Sequence, residues 1–199
     1  MKIEELITLL GGIDLYLLDQ ILKQRYHIEH KILDAGCGIG RNIHWLHEHG
    51  FNLWAVDQEV KRIEIIKNKY PKSAHRFVVA SLEKMSFKNE EFDHIICSAV
   101  LHFATSIAHF NVMFSELIRV LKKQGTLFIR MTSDQGIEEK ISPLGNGIYL
   151  LPDKTKRFLL TNKHLETLIS THNLAFLEPY KVVNVANIRC MNTLMLQKK

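Results

Sequence analysis

Cysteine is scarce in this 199-residue chain: Cys37, Cys97 and Cys190 are odd in number and far apart. A disulfide framework is therefore not expected, and reduced thiols fit a cytoplasmic location. With four prolines, no internal repeat and no low-complexity segment, the chain also lacks a linker-rich or disordered signature. No run of about 18 apolar residues is present to cross a bilayer. Met1-Lys2-Ile3-Glu4-Glu5 is too acidic for a secretory leader. His44, His47 and His49 lie close together but have no Cys partner and no His-Glu-x-x-His pattern, so no metal site is expected.

What is present reads as one globular domain over residues 1–199, with 46% hydrophobic residues and enough length for a substantial core. The formal charge of +5 raises nucleic acid as a partner, but the basic residues are dispersed. Their densest run, Lys61-Arg62 through Lys67, Lys69 and Lys72, is interrupted by Ile63, Ile65 and Ile66 and reads as the solvated face of a helix.

Leu6, Leu9, Leu10, then Leu15, Leu18, Ile21 and Leu22, recur at three and four and predict one or two helices over 3–27, broken near Gly11-Gly12. Residues 1–30 thus form a helical lid or flank. Short apolar strands then alternate with helices: strand 31–35, helix 40–49, strand 53–57, helix 59–69, strands 75–80 and 92–97, helix 106–121, strand 125–131. Such alternation predicts an α/β fold, a parallel sheet with helices on both faces. Residues 133–157, with Gly136, Pro143, Gly145, Gly147 and Pro152, are too broken for a long regular element and read as an insertion within a C-terminal part spanning 132–199. A helix capped by Thr161 or Asn162 follows, then strand-like runs from Ala175 to Val185 and from Arg189 to Gln197.

The most informative stretch is Ile32-Leu33-Asp34-Ala35-Gly36-Cys37-Gly38-Ile39-Gly40-Arg41-Asn42, an apolar strand running through an acid into three alternating glycines and a helix. Such a loop brings bare backbone and unpaired N–H groups against a ligand. A dinucleotide site requires G-x-G-x-x-G, and here the sixth position is Arg41. Asp34 would repel a pyrophosphate yet face a cationic amine. Asp57, at the end of the next strand, is placed for ribose hydroxyls, and its bland alternative is an ordinary helix N-cap.

From this point the chain resembles the class I S-adenosylmethionine-dependent methyltransferases over roughly residues 31–131. Val79-Ala80-Ser81-Leu82-Glu83-Lys84-Met85-Ser86-Phe87 resembles that family's adenine-edge loop. Phe92-Asp93-His94-Ile95-Ile96-Cys97-Ser98-Ala99-Val100-Leu101-His102-Phe103 resembles its fourth strand and following turn, and Leu117 to Leu127 its next helix, turn and strand. The resemblance implies a Rossmann-like, doubly wound seven-stranded sheet, mostly parallel with an antiparallel C-terminal hairpin. It implies S-adenosyl-L-methionine as cofactor and S-adenosyl-L-homocysteine as product. It places the methionine portion on Asp34 and the loop of Gly36, Cys37, Gly38, Gly40, Arg41 and Asn42, the ribose on Asp57 with Gln58, and the sulfonium beside Cys97, Ser98 and Ala99. At the adenine edge, many relatives carry aspartate where Ser81 stands, so the adenine amine is left to the Ser81 hydroxyl, to Glu83, or to backbone around Leu82. Cys37, between loop glycines, reads as a small apolar filler.

Methyl transfer from a sulfonium requires chiefly alignment and exclusion of water. Where an acceptor must lose a proton, His102 is the candidate base, its alternative being a structural turn histidine. Ser98-Ala99-Val100-Leu101 replaces the Asp/Asn-Pro-Pro-aromatic signature of enzymes that methylate amino groups of bases. A small-molecule acceptor is therefore expected, with Arg130, Tyr149, Arg157 and Arg189 as candidate lining and the arginines drawing an anion; each is equally readable as a surface residue. Gly40-Arg41-Asn42 resembles the tellurite-resistance and related small-molecule methyltransferases, whose acceptors include soft, polarisable atoms. Two other functions remain open, a non-catalytic S-adenosylmethionine-binding regulatory module and an RNA methyltransferase.

Overall fold

The computed structural model describes residues 2–199; Met1, the first residue of the expected N-terminal flank and leader reading, lies outside them. Two short helices, α1 (Ile3–Leu10) and α2 (Leu15–Leu22), precede β1 (Lys31–Ala35), α3 (Ile43–Glu48), β2 (Asn52–Asp57), α4 (Val60–Lys69) and β3 (Phe77–Val79). Then follow β4 (Phe92–Ser98), α5 (Ile107–Val120), β5 (Leu121–Ser133), β6 (Ser142–Gly145), β7 (Ile148–Leu150), β8 (Lys156–Phe158), α6 (Asn162–Thr171), β9 (Leu174–Phe176), β10 (Lys181–Val185) and β11 (Arg189–Lys198).

The main sheet runs in the order β10-β11-β5-β4-β1-β2-β3. β3, β2, β1, β4 and β5 are parallel, and β11 returns antiparallel to β5. β9 and β10 pair with successive stretches of the same edge of β11, so the sheet is seven strands wide. Its central strands are buried on both sides, so neighbouring residues feed opposite cores: Leu33, Ile95, Leu127 and Leu194 pack under α5 and α6, and Ile32, Ile96, Phe128 and Met195 under α2, α3 and α4. This two-sided burial is why the strands read as continuous apolar runs.

Capping and amphipathic pattern explain the helices. Ser106 Oγ accepts the His109 N–H at the start of α5 (3.0 Å), and Thr161 Oγ1 accepts that of His164 at the start of α6 (3.2 Å). On α4, Ile63 and Ile66 are buried while Lys61, Arg62 and Lys69 are exposed, so its basic run is a solvated face. His44 contacts Tyr70 and Thr8, His47 contacts Ser73 and His49 contacts Trp45, each ring turned to separate partners. Among the described residues no helix is long and apolar enough to cross a membrane.

The structure refines one expectation and corrects another. Residues 133–157 hold no long regular element, but with residue 158 they supply the short strands β6, β7 and β8, a small antiparallel sheet whose first turn uses Gly145 and Gly147. It is joined to the main body by the Ile107 N–H to the Asn146 carbonyl (2.9 Å) and by Phe158, whose ring stacks on Phe110 at 4.6 Å. The stretch 175–185 is not one strand, because Pro179 cannot donate to a ladder and Glu178 turns aside to Gln20, Lys23, Arg25 and Lys181. That ion cluster, dominated against the cost of burial by its four donors, holds the Glu178 carboxyl down at about 2.

Phe110 is fully buried between Phe114 and Phe158. Phe110→Ala is expected to lower unfolding stability by about 3–5 kcal/mol, read by urea denaturation, and to loosen the small sheet first in hydrogen exchange.

Candidate cofactor-binding site

At the end of β1 the chain turns sharply. The Gly36 and Cys37 N–H groups both donate to the Val56 carbonyl (2.8 and 2.9 Å), folding the glycine loop onto the end of β2. Gly36 has φ +78°, and a Cβ there would stand 2.5 Å from Val100 Cγ2. Gly38 has φ +58° with nothing within 4 Å of a Cβ position, leaving an open face of backbone. Asp57 completes the turn: its Oδ2 accepts the Gly38 N–H and its Oδ1 the Glu59 N–H, both at 2.9 Å. Its cap-like bond and its reach to the glycine loop therefore coexist.

Beside this loop, beyond the carboxyl ends of the parallel strands, lies a cavity of about 330 Å³, within the roughly 300–1,000 Å³ common for small-ligand sites. Gly36 and Ala99 form part of its lining, with Asp57, Gln58 and Arg62 along the β2 end. Ser81, Leu82 and Glu83 line it beyond β3. Val100, Phe103, His109 and Met113 come from the turn after β4 and from α5. Glu83 and His109 join at 2.7 Å across the two sides, and that contact with the Ser81 hydroxyl outweighs burial and holds the Glu83 carboxyl below its usual range. Ala99 carries φ +62°, a strained value for a residue with a Cβ, and its N–H donates to the Arg130 carbonyl at 2.7 Å.

Seven of the residues expected to hold a cofactor therefore meet in one cavity: Gly36, Asp57, Gln58, Ser81, Leu82, Glu83 and Ala99. Others lie behind it. Asp34 is 2% exposed, with Oδ2 buried and unpartnered. Burial pushes its carboxyl up to about 7 against the opposing pull of Arg41, with the Asp57 charge adding to the rise. Cys37 and Cys97 are buried, and burial drives both thiols far upward, which disfavours the thiolate form. Gly38, Gly40, Arg41, Asn42 and Ser98 border the loop outside the cavity lining.

Asp14 had no assigned role in the sequence, yet it gathers several of these residues. It caps α2 through the Tyr16 N–H (3.0 Å) and is only 3% exposed. Its Oδ2 accepts from Ser98 Oγ and Arg130 Nη1, each at 3.0 Å, with Arg41 Nη2 at 3.6 Å. Arg130 is thus held by Asp14 and lies over the Tyr16 ring. Tyr149 packs on the small cluster of Ile137, Leu151, Leu159 and Cys190, Arg157 lies over the Phe103 ring, and Arg189 pairs with Asp153 at 3.3 Å. His102 is buried with Nδ1 unpartnered; burial, then Arg157, Arg189 and Arg130, lowers its pKa to about 4, so the imidazole is neutral near pH 7.

Residues 33–129 match the family described as a methyltransferase domain. Over that segment, just under half of its length, the chain is similar to the class I S-adenosylmethionine-dependent methyltransferases. An uncharacterized methyltransferase, YodH, of Bacillus subtilis is 30% identical over 98 residues, 48% of this chain and 40% of the relative, so the match spans less than half of that protein's length. A solved S-adenosylmethionine-dependent methyltransferase of Methanosarcina mazei superposes with a TM-score of 0.73 at 18% identity, covering 89% of this chain and 96% of the other. The 1,6-didemethyltoxoflavin-N1-methyltransferase of Burkholderia thailandensis, solved with its substrate and S-adenosylhomocysteine, gives 0.68 at 17% identity over 92% and 76%. These structures share the Rossmann-like fold of this chain.

The site's chemistry fits the family's cofactor. The open backbone at Gly38 admits close approach, Asp57 retains lone pairs for hydroxyls, and Asp34 supplies a buried carboxylate oxygen without a partner.

Because its pKa is about 7 in the folded chain and 3.8 when free, Asp34 gives the folded state an extra proton between these values. Stability from this group therefore falls as pH rises from about 4 to 7 and levels above. Asp34→Asn is expected to gain on the wild type in urea-unfolding stability across that window, with the difference constant at higher pH.

Proposed function

We propose that this protein is a methyltransferase that transfers the methyl group of S-adenosylmethionine to a small-molecule acceptor. The observation that carries this reading is the cavity itself, where Asp57, Ser81 to Glu83 and Ala99 meet beside an open glycine loop. Asp57 takes the ribose diol with Gln58 beside it. Ser81, Leu82 and Glu83 take the adenine edge, and the Glu83–His109 pair closes that end. Asp34 and the loop from Gly36 to Asn42 serve the methionine portion, with Cys97 to Ala99 along the sulfonium side. When bound, the cofactor supplies an electrophilic methyl carbon whose bond to sulfur breaks as the acceptor's lone pair engages it, leaving S-adenosylhomocysteine.

The chain's own contribution is then to orient and to exclude water. The exposed Phe103 ring at the cavity edge, with the half-buried Arg157 over it, offers an apolar wall beside a cation for the acceptor. Arg130, Arg189 and Tyr149 belong to the surrounding shell. His102, kept neutral, is able to take a proton, and its low basicity suits an acceptor that becomes acidic only as it is methylated. The Gly40-Arg41-Asn42 continuation favours including soft acceptors such as thiols among those tried. The regulatory-module and RNA readings gain no specific observation, since α4 carries its lysines as a solvated face.

The test is calorimetry with S-adenosylhomocysteine, followed by labelled methyl transfer to a panel of thiol, amine, oxyanion and hydroxyl compounds. Asp57→Ala is expected to weaken binding by about tenfold to a hundredfold, the scale of hydrogen bonds to a charged group. Wild-type affinity in that variant, or no binding by the wild type, would remove the reading.

A further inference from the structure

We propose that Asp14 is a positioning residue that orients Arg41 toward the amino-acid end of the cofactor. The inference rests on the cofactor site proposed above and concerns one end of it. Asp14 belongs to the N-terminal helical arm, and nothing in the glycine-loop motif includes it. Its side chain is 1% exposed, so it cannot itself touch a ligand in this arrangement and acts through its partners.

Those partners form a closed set. The Asp14 main-chain N–H donates to Asn42 Oδ1 at 3.0 Å, tying the arm to the end of the glycine loop. Asp14 Oδ2 accepts from Ser98 Oγ, and Ser98 Oγ accepts in turn from Arg41 Nη2 at 3.3 Å. Arg41 is thereby held at one edge of its guanidinium, while a side chain 44% exposed leaves its other donors available beside the loop. Arg130 Nη1 takes the same Asp14 oxygen, so one carboxylate faces two guanidiniums and the group keeps an unbalanced positive charge. Without that carboxylate the two cations would repel across Ser98.

The field of Arg41 also reaches Asp34, whose buried Oδ2 has no partner. A guanidinium with donors to spare therefore stands near a carboxylate oxygen without one. That pairing suits a ligand bearing a carboxylate and an ammonium on one carbon, the α-amino acid end of an adenosyl amino acid. The planar fork of Arg41 matches the carboxylate, and its aim depends on the Ser98–Asp14 relay.

The experiment compares two ligands by calorimetry: S-adenosylhomocysteine, and 5′-methylthioadenosine, which carries the same nucleoside without the amino-acid end. Asp14→Asn keeps the side-chain volume and a residue suited to the helix cap while removing the charge. It is expected to weaken S-adenosylhomocysteine about tenfold and to leave methylthioadenosine within about twofold. Arg41→Ala should show the same selectivity, and the double variant little further loss, since the two residues act as one unit. Should Asp14→Asn fail to fold, Asp14→Ser, which also removes the charge and keeps a residue suited to the helix cap, carries the same expectation.

Equal losses for both ligands would reduce Asp14 to a structural anchor of the arm, and no loss for either would remove its role. Tighter S-adenosylhomocysteine binding would show that Asp14 occupies the place of the ligand carboxylate. Each of these overturns the proposal while leaving the cofactor site standing. A wild-type protein that binds neither ligand overturns both.

Discussion

Two neighbouring groups at the end of β2 hold the site together: the Val56 carbonyl, which takes the N–H groups of Gly36 and Cys37, and the Asp57 carboxylate, which takes that of Gly38. Three successive N–H groups of the glycine loop are thus fixed to one strand end. The parallel pairing of Lys31–Ala35 with Asn52–Val56 sets the height of that end, and the sheet sets everything beside it. The loop's remaining face stays open because its backbone polar groups are satisfied from behind. A ligand meeting it finds preformed backbone, so little ordering remains to be done on binding.

Around this fixed turn, charge is arranged by depth. Asp57 and Glu83 face the cavity, whereas Asp34 and Asp14 are buried behind it and Arg41 stands at the border. Burial gives the two inner acids different fates. Asp34 lacks a partner for Oδ2 and is pushed toward the protonated form, while Asp14 takes donors from Ser98 and Arg130 together with the Tyr16 N–H. The N-terminal arm and the strand ends are consequently joined by a polar network whose members come from four separate parts of the chain.

The side of the cavity away from the glycine loop has a different construction. The small sheet of β6, β7 and β8 is anchored by aromatic stacking of Phe158 on Phe110 and by main-chain bonds to α5 and β5, and it brings Arg157 over Phe103. His102 lies beneath with a lowered pKa, a result of burial and of the surrounding arginines together. Buried central strands carry the glycine loop, and a short-stranded, partly exposed sheet borders the other side. That division lets the small sheet vary without disturbing the glycine loop.

The chain's order of apolar strands and amphipathic helices was legible because the central strands are buried on both faces and the helices packed on them on one, and those constraints are written in neighbouring residues. The spacing of the glycines and the acid at the end of β2 likewise signalled a site through local backbone demands. The small sheet was hidden because its glycines and prolines look the same in a loop and in tight hairpins. The break at Pro179 was visible as a residue, but its meaning lay in the charges that draw Glu178 aside. Asp14 joins Ser98 and Arg130 across 84 and 116 residues. Arg62 and His109 enter the cavity only because α4 and α5 pack where they do. Local sequence determined which segments become strands, turns and caps, since those depend on near-neighbour sterics and hydrogen bonds. Tertiary packing alone decided which acids are buried, which find partners and which face the cavity, because desolvation and Coulomb energy depend on distance through space.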